Sequence, residues 1–330
     1  ELYSKLGQLG WLGLGIPEAY GGSGGTWVDA ALFYEEAGRF LLPGPFFSSG
    51  LLAAQLVLEA GSEEQKHNLL PHLARGEMVC TVAAAEPGAE SDPKAMATTA
   101  RPDNGVFLLD GTKLWVRYAP VAHLLLTTAH LNGDLRLFLV ERTTPGLTIT
   151  PMESLGGQGL STVEYASVRV PLADVLERSQ GAELLTEVQE RANLMLCAYM
   201  VGAAQQALDM AVEYAKFRVA FGRPIGSFQA LQHKMADIAL SVDASRWITY
   251  YAAWLNAEGP SARRETLMAL NYVGEALPQA TAEAGQVFGG TGMMRDHDWG
   301  LFFRTVKGLE LALGYRDELK EKIAQRLGLS

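Results

Sequence analysis

The hydrophobic period changes twice along this chain, and no other feature constrains its fold as strongly. Residues 1 to about 78 carry apolar side chains at three- and four-residue spacing in Val28–Ala37 and Leu51–Ala60, which predicts helices with one buried face. Ser62 before Glu63, Glu64 and Gln65 is a helix start, with a side-chain cap and acids at the positive end. The clusters Tyr20-Gly21-Gly22-Ser23-Gly24-Gly25 and Pro43-Gly44-Pro45 read as turns. From about 79 to 175 the period is that of short strands. Val106–Leu109 and Thr112–Val116 flank Asp110-Gly111, which predicts a two-residue hairpin there. His123–Thr128, Leu135–Val140, Leu147–Thr150 and Thr162–Val170 are further strand candidates, with Pro93, Pro102, Pro120, Pro145, Pro151 and Pro171 between them. This pattern predicts an antiparallel β domain rather than βαβ units.

From about 177 the helical period returns. Leu184, Val188, Met195, Tyr199 and Gly202 mark the apolar stripe of a long helix ending near Arg218. Ser227–Glu258, stopped by Gly259-Pro260, is a second, and Arg263–Phe288, stopped by Gly289-Gly290, a third. One shorter helix follows from about Trp299. Long helices joined by short links make a bundle. The expectation is an α+β chain with an N-terminal helical domain (1–78), a middle antiparallel β domain (79–176) and a C-terminal four-helix bundle (177–330).

With 330 residues there is room for two or three domains and a large core. The net charge of −10 argues against a nucleic-acid surface, which needs clustered cations. Cys80 and Cys197 lie far apart, match no metal or redox spacing, and suit buried thiols in a reducing cytoplasm. No apolar run approaches the roughly 20 residues that span a bilayer; Leu51–Leu58 is short and broken by Gln55. The start carries no signal-peptide pattern. The first residue is Glu1, so a front segment of about one helix is expected to be missing.

Five local sequences then stand in order. They are Gly10-Trp11-Leu12-Gly13-Leu14-Gly15-Ile16-Pro17-Glu18-Ala19-Tyr20-Gly21-Gly22, Ala85-Glu86-Pro87-Gly88-Ala89-Glu90-Ser91-Asp92, Leu109-Asp110-Gly111-Thr112-Lys113-Leu114-Trp115-Val116-Arg117, Phe217–Ile238, and Ala284–Asp296 with Gln286-Val287-Phe288-Gly289-Gly290-Thr291-Gly292. Together they resemble the signatures of the acyl-CoA dehydrogenase family over nearly the whole chain. The resemblance implies an FAD enzyme in which a carboxylate removes the α-proton of an acyl thioester while the β-hydrogen leaves as hydride, giving a trans-2-enoyl-CoA. Such a base needs a dry site that raises its pKa. In this family each flavin lies across a subunit interface. One subunit holds the ring, and its neighbour reaches the pyrophosphate and adenine end.

The residues that serve a neighbour's flavin are present. By resemblance Arg218 pairs with the pyrophosphate, for which a guanidinium fork is suited, and Phe221 covers the dinucleotide. Gln229 and Gln286 meet polar cofactor atoms, and Gly289 and Gly290 allow close backbone approach. Taken singly, Arg218 also reads as a helix C-terminal cation and the Gly pair as a helix stop. The residues that serve the chain's own flavin and chemistry depart from the family. Ala85 stands where the family has Thr before Glu-Pro. Arg117 replaces the Thr that follows the hairpin's Trp and lies beside the flavin, which makes it a candidate for excluding the ring; the alternative is that it turns outward to a surface acid. Reading on from Arg304-Thr305-Val306-Lys307 without a gap puts Leu313 at the catalytic carboxylate, and the family's other base position is Ala192, followed by Asn193. Glu310 and Glu190 are weak substitutes, one near each position.

The resemblance thus implies a subunit without its own base. It would complete the FAD site of a second acyl-CoA dehydrogenase subunit that carries the catalytic Glu, in a heterotetramer of the kind known from bacterial steroid side-chain β-oxidation. Glu35-Glu36-Ala37-Gly38-Arg39 and Leu42-Pro43-Gly44-Pro45 also look like bacterial members of that sort. An acyl-CoA substrate and an electron-transferring flavoprotein as acceptor follow from family habit. The alternatives are a homotetrameric acyl-CoA dehydrogenase using Glu310 and a flavin-free scaffold with this fold.

Overall fold

A computed structural model describes residues 2–89, 93–176, 181–259 and 262–329. Glu90, Ser91 and Asp92 of the predicted loop, the proposed domain boundary at 177 and Pro260 of the predicted helix stop lie outside the described residues. The chain divides into two compact units, Glu1–Thr26 with Pro43–Ala192, and Trp27–Leu42 with Asn193–Ser330.

The first unit joins short helices to the sheet. Helix α1 is Leu2–Gln8. The predicted helix Leu51–Ala60 is longer and of two kinds: a π-helical stretch, Phe46–Ala53, continues as α3, Ala54–Ala60. Helix α4, Glu63–Ala74, starts as the sequence predicts. The Gln65 amide donates to Ser62 Oγ (3.2 Å), the Ser62 amide donates to Gln65 Oε1 (2.9 Å), and together they form a capping box. Gln65 Nε2 also donates to the carbonyls of Ala173 and Val175, so one side chain caps α4 and fixes the end of the β region.

The sheet contains β1 (Cys80–Ala83), β2 (Thr99–Asp103), β3 (Val106–Arg117), β4 (Leu124–Leu131), β5 (Asp134–Glu141), β6 (Leu147–Pro151) and β7 (Leu160–Pro171). Its order is β1-β4-β2-β3-β7-β6, with β5 on the free side of β4. Most pairs are antiparallel, as expected; β1 and β2 meet β4 in parallel. Leu109, Val116, Leu125, Phe138, Val163 and Val168 form its apolar core, each worth about 1.5–3 kcal/mol of burial.

The predicted hairpin at Asp110-Gly111 is not there. The turn falls at Asn104-Gly105, both at positive φ (46° and 83°), as a two-residue hairpin turn requires. Asp110 and Gly111 lie inside β3, at a bulge where β7 carries one extra residue. The Ser167 amide donates to Asp110 Oδ1 at 2.7 Å. A Cβ on Gly111 would stand 2.3 Å from Thr98 Oγ1, so glycine serves close approach here rather than a turn. A second bulge at Leu114-Trp115 restores the register, with Trp115 at φ 55°.

The second unit contains α2 (Trp27–Arg39), the later part of α5 (Gly181–Phe217), a two-stranded hairpin of β8 (Val219–Ala220) and β9 (Arg223–Pro224), α6 (Gln229–Glu258), α7 (Arg263–Phe288), α8 (Trp299–Glu310) and α9 (Arg316–Arg326). The predicted start at Ser227 moves to Gln229 because Ile225–Ser227 is a 3₁₀ turn and Ser227 Oγ donates to the Pro224 carbonyl instead of capping. The single last helix is two, parted at Gly314 (φ 110°).

Helix α2 meets α5 at backbone contact. A Cβ on Gly202 would lie 1.8 Å from the Glu35 carbonyl oxygen, and one on Gly38 would lie 1.9 Å from the Tyr199 carbonyl oxygen. The crossing is locked by Glu35, which accepts from Arg246 Nε (2.9 Å) and Tyr250 Oη (2.6 Å), and by an Arg39–Asp209 ion pair at 2.7 Å. Gly202→Ala is expected to lose at least about 1–3 kcal/mol, the range for overpacking, because backbone rather than a side chain must yield. Chemical unfolding of the full chain checks this, and an unchanged midpoint would contradict the crossing.

Candidate functional site

Two groups of candidate residues exist, one in each unit. In the second unit, the C-terminal ends of α5 and α7 meet through the Tyr214 and Phe288 rings, whose centroids are 5.2 Å apart. The start of α6 is tied to the same end by the Lys234–Glu283 ion pair at 3.6 Å. This brings the α5–α6 connection and the Gly289-Gly290 stop to one end of the unit. The β8–β9 hairpin turns on Phe221 and Gly222 (φ 53° and 80°), and the Ile225 amide closes it onto the Arg218 carbonyl at 2.8 Å. A positive φ is strained for a bulky residue. Here it leaves Phe221 95% exposed, edge-on to Phe228 at 6.1 Å. Arg223 covers the Phe228 ring at 4.3 Å, a cation–π contact not anticipated from sequence.

Arg218, Gln229, Gln286, Gly289 and Gly290 are also exposed. Among the described residues no side chain pairs with Arg218, Gln229 or Gln286. The cluster offers a guanidinium, two carboxamides, an aromatic ring and bare backbone, without an acid of its own. That set fits the phosphate and adenine end of a dinucleotide.

The positions expected to hold a base carry hydrocarbon. Leu313 is 3% exposed and lies against α7 at Gly274, where a Cβ would stand 3.4 Å from Leu313 Cδ1. Asn193 Nδ2 donates to the Ala312 carbonyl beside it (3.1 Å). Ala192 is fully buried. Glu310 Oε2 stands 2.6 Å from Lys307 Nζ as an ion pair without hydrogen-bond geometry, and Glu190 is buried on α5.

In the first unit, Ala85 presents its carbonyl to the Leu114 amide (2.8 Å) and has no hydroxyl to offer. The next residue, Glu86, forms a buried ion pair that sequence reading did not foresee. Lys113 Nζ donates to Glu86 Oε1 (2.5 Å), Thr128 Oγ1 (2.7 Å) and the Ala84 carbonyl (3.2 Å). Glu86 also accepts from the amides of Ala97 and Thr98. Burial opposes ionisation of Glu86, and the hydrogen bonds from Lys113 and Thr98 overcome it, holding the carboxyl below its usual range. Burial pulls Lys113 down to about 8, against the pull of Glu86. The pair fastens the loop after β1 to β3, the strand that ends at Arg117.

Arg117 does not turn outward to an acid. Its Cζ lies 6.0 Å from the Phe47 centroid, and no carboxylate pairs with it among the described residues. Burial lowers its pKa to about 10, slightly offset by Tyr118. Trp115, two residues earlier, is 41% exposed; its strained φ was the only local sign of a role, and sequence does not display it. Arg117 thus stands, partly buried and turned in toward Phe47, at the place where the resemblance expects a threonine.

Three family models match in chain order: the acyl-CoA dehydrogenase N-terminal domain over residues 1–77, the middle domain over 81–168 and the C-terminal domain over 179–328. The chain belongs to the acyl-CoA dehydrogenase family, whose members are FAD-dependent oxidoreductases. It is 33% identical to an acyl-CoA dehydrogenase of Bacillus subtilis over 325 residues, covering 95% of this chain and 86% of that one. It superposes with TM-score 0.93 on a glutaryl-coenzyme A dehydrogenase in its glutaryl-CoA complex (31% identity, 99% and 87% covered). A chain of the ChsE4–ChsE5 complex from Mycobacterium tuberculosis gives 0.90 (28% identity, 100% and 88% covered). Among the described residues no helix is long and apolar enough to cross a membrane.

Proposed function

We propose that this chain is the subunit of a heterotetrameric FAD-dependent acyl-CoA dehydrogenase that lacks its own base and completes the FAD site of a catalytic partner. The observation that carries the reading is an asymmetry. Arg218, Phe221, Gln229, Gln286, Gly289 and Gly290 stand exposed, with no side-chain partner for Arg218, Gln229 or Gln286 among the described residues, while Leu313 and Ala192 offer no atom able to take a proton. Bound in the complex, FAD supplies the hydride acceptor, and the partner's Glu takes the α-proton. This chain's contribution is to hold the phosphate end and to close the assembly. Its likeness to a chain of a two-component complex supports this subunit type, and the resemblance of its N-terminal motifs to bacterial members of the steroid side-chain sort favours bulky acyl-CoA esters as substrates. Electrons then leave to an electron-transferring flavoprotein, as is the family's habit, in the cytoplasm.

Glu310 is a poor base in this reading because it lies three residues before the family's base position and its Oε2 faces Lys307 Nζ at 2.6 Å. The test is to purify the chain alone and together with a dehydrogenase subunit encoded beside it. Alone it is expected to be colourless and inactive in acyl-CoA-dependent dye reduction; the complex is expected to be yellow and active. A yellow lone chain that turns over substrate overturns the reading, and a complex without flavin points to a scaffold. Within the complex, Arg218→Ala removes a charge-assisted phosphate contact worth about 1.5–3 kcal/mol. Flavin retention through gel filtration should fall by about tenfold or more; unchanged retention removes Arg218 from the site.

A further inference from the structure

Arg117 is a partly buried cation with no counter-charge among the described residues. Its backbone is fixed: the carbonyl accepts from Thr81 Oγ1 at 2.6 Å, and the preceding Val116 points into the sheet core. One face of the guanidinium is covered by Phe47. Next to the strand's end runs the loop into β7, held there by the Tyr118 amide donating to the Gly159 carbonyl at 2.7 Å. That loop contributes Gln158, whose Nε2 is buried with no acceptor. The strand end and the loop therefore present hydrogen-bond donors without an acceptor among the described residues. A partly desolvated guanidinium without a counter-ion is unfavourable, and an anion relieves it. The guanidinium fork matches the planar oxygen pair of a carboxylate better than a point charge would. Trp115, two residues before Arg117 on β3, is exposed, and its ring suits an apolar body attached to that carboxylate.

We propose that Arg117, Gln158 and Trp115 form a binding site for a small organic carboxylate carried on an apolar body. The site lies where chains with their own cofactor hold the flavin ring, so this inference rests on the reading that this chain's own ring position is vacated.

The probe is 4-phenylbutyrate, titrated calorimetrically into the full-length chain, with 4-phenylbutyramide and inorganic phosphate as comparison ligands. The acid is expected to bind saturably. The amide, which cannot engage the fork as an anion, and phosphate, which has no apolar body, should each bind about tenfold more weakly or worse. Arg117→Met should abolish the difference between acid and amide. Arg117→Lys keeps the charge but loses the fork, and should fall between. Gln158→Ala should weaken the acid severalfold. No saturable binding, equal binding of acid and amide, equal binding of phosphate, or an Arg117→Met chain that binds like the parent each overturns the proposal. Visible absorbance of the same sample separates the two readings. A colourless chain that ignores the acid defeats this inference alone, whereas a yellow chain defeats the vacated ring position on which it rests.

Discussion

Replacing the partner's catalytic carboxylate by its amide is expected to lower acyl-CoA-dependent dye reduction of the complex by about 10²–10⁴-fold, the span that a positioned general base contributes. Glu310→Gln in this chain should leave the rate within about twofold, because deleting an ordinary ion-paired helix carboxylate changes little. The two changes separate the readings cleanly. If this chain ran its own chemistry through Glu310, the second substitution would cut activity as deeply as the first. The expectation rests on Leu313, a buried hydrocarbon at the base position, and on Lys307, which already engages Glu310.

The second large effect is structural. Lys113→Met should destabilise the first unit by about 3–5 kcal/mol, the cost of leaving one member of a buried ion pair uncompensated. Glu86 is 3% exposed and Lys113 fully buried, and without the ammonium the carboxylate keeps only the amides of Ala97 and Thr98. The double change Glu86→Gln with Lys113→Met removes both charges and should recover most of the loss. Urea unfolding followed by tryptophan fluorescence reads both variants. A single variant as stable as the parent would show that the pair does not hold the loop to β3.

Much of the architecture was legible because period and caps are local properties. The bounds of α7, Arg263–Phe288, follow from its apolar spacing and the Gly pair that stops it. The start of α4 follows from Ser62 and Gln65. Asn104-Gly105 carries the same local turn signal as Asp110-Gly111, so the dipeptides alone do not choose between them. Asn104-Gly105 takes the turn because the strand beyond it pairs along its length with β7, a partner distant in the chain. Asp110-Gly111 instead accommodates a bulge and the close approach of Thr98. The π-helical stretch at Phe46–Ala53 has no local signature distinguishing it from the α-helix it joins.

The candidate site divides in the same way. Arg218, Phe221 and the Gly pair sit in contiguous motifs, so sequence finds them and the fold brings them to one end. The Glu86–Lys113 pair joins residues 27 apart, and the contact of Arg117 with Phe47 joins separate elements; neither follows from spacing. That Arg117 meets no acid among the described residues is a property of three-dimensional surroundings, and it is the feature that most alters the meaning of the strand it ends.

The account stands or falls on where flavin binds, and stoichiometry measures that directly. Absorbance of FAD released from the purified complex, divided by its content of each subunit, is predicted to give one flavin for each pair of unlike chains, with none on this chain alone. One flavin for every chain would contradict it.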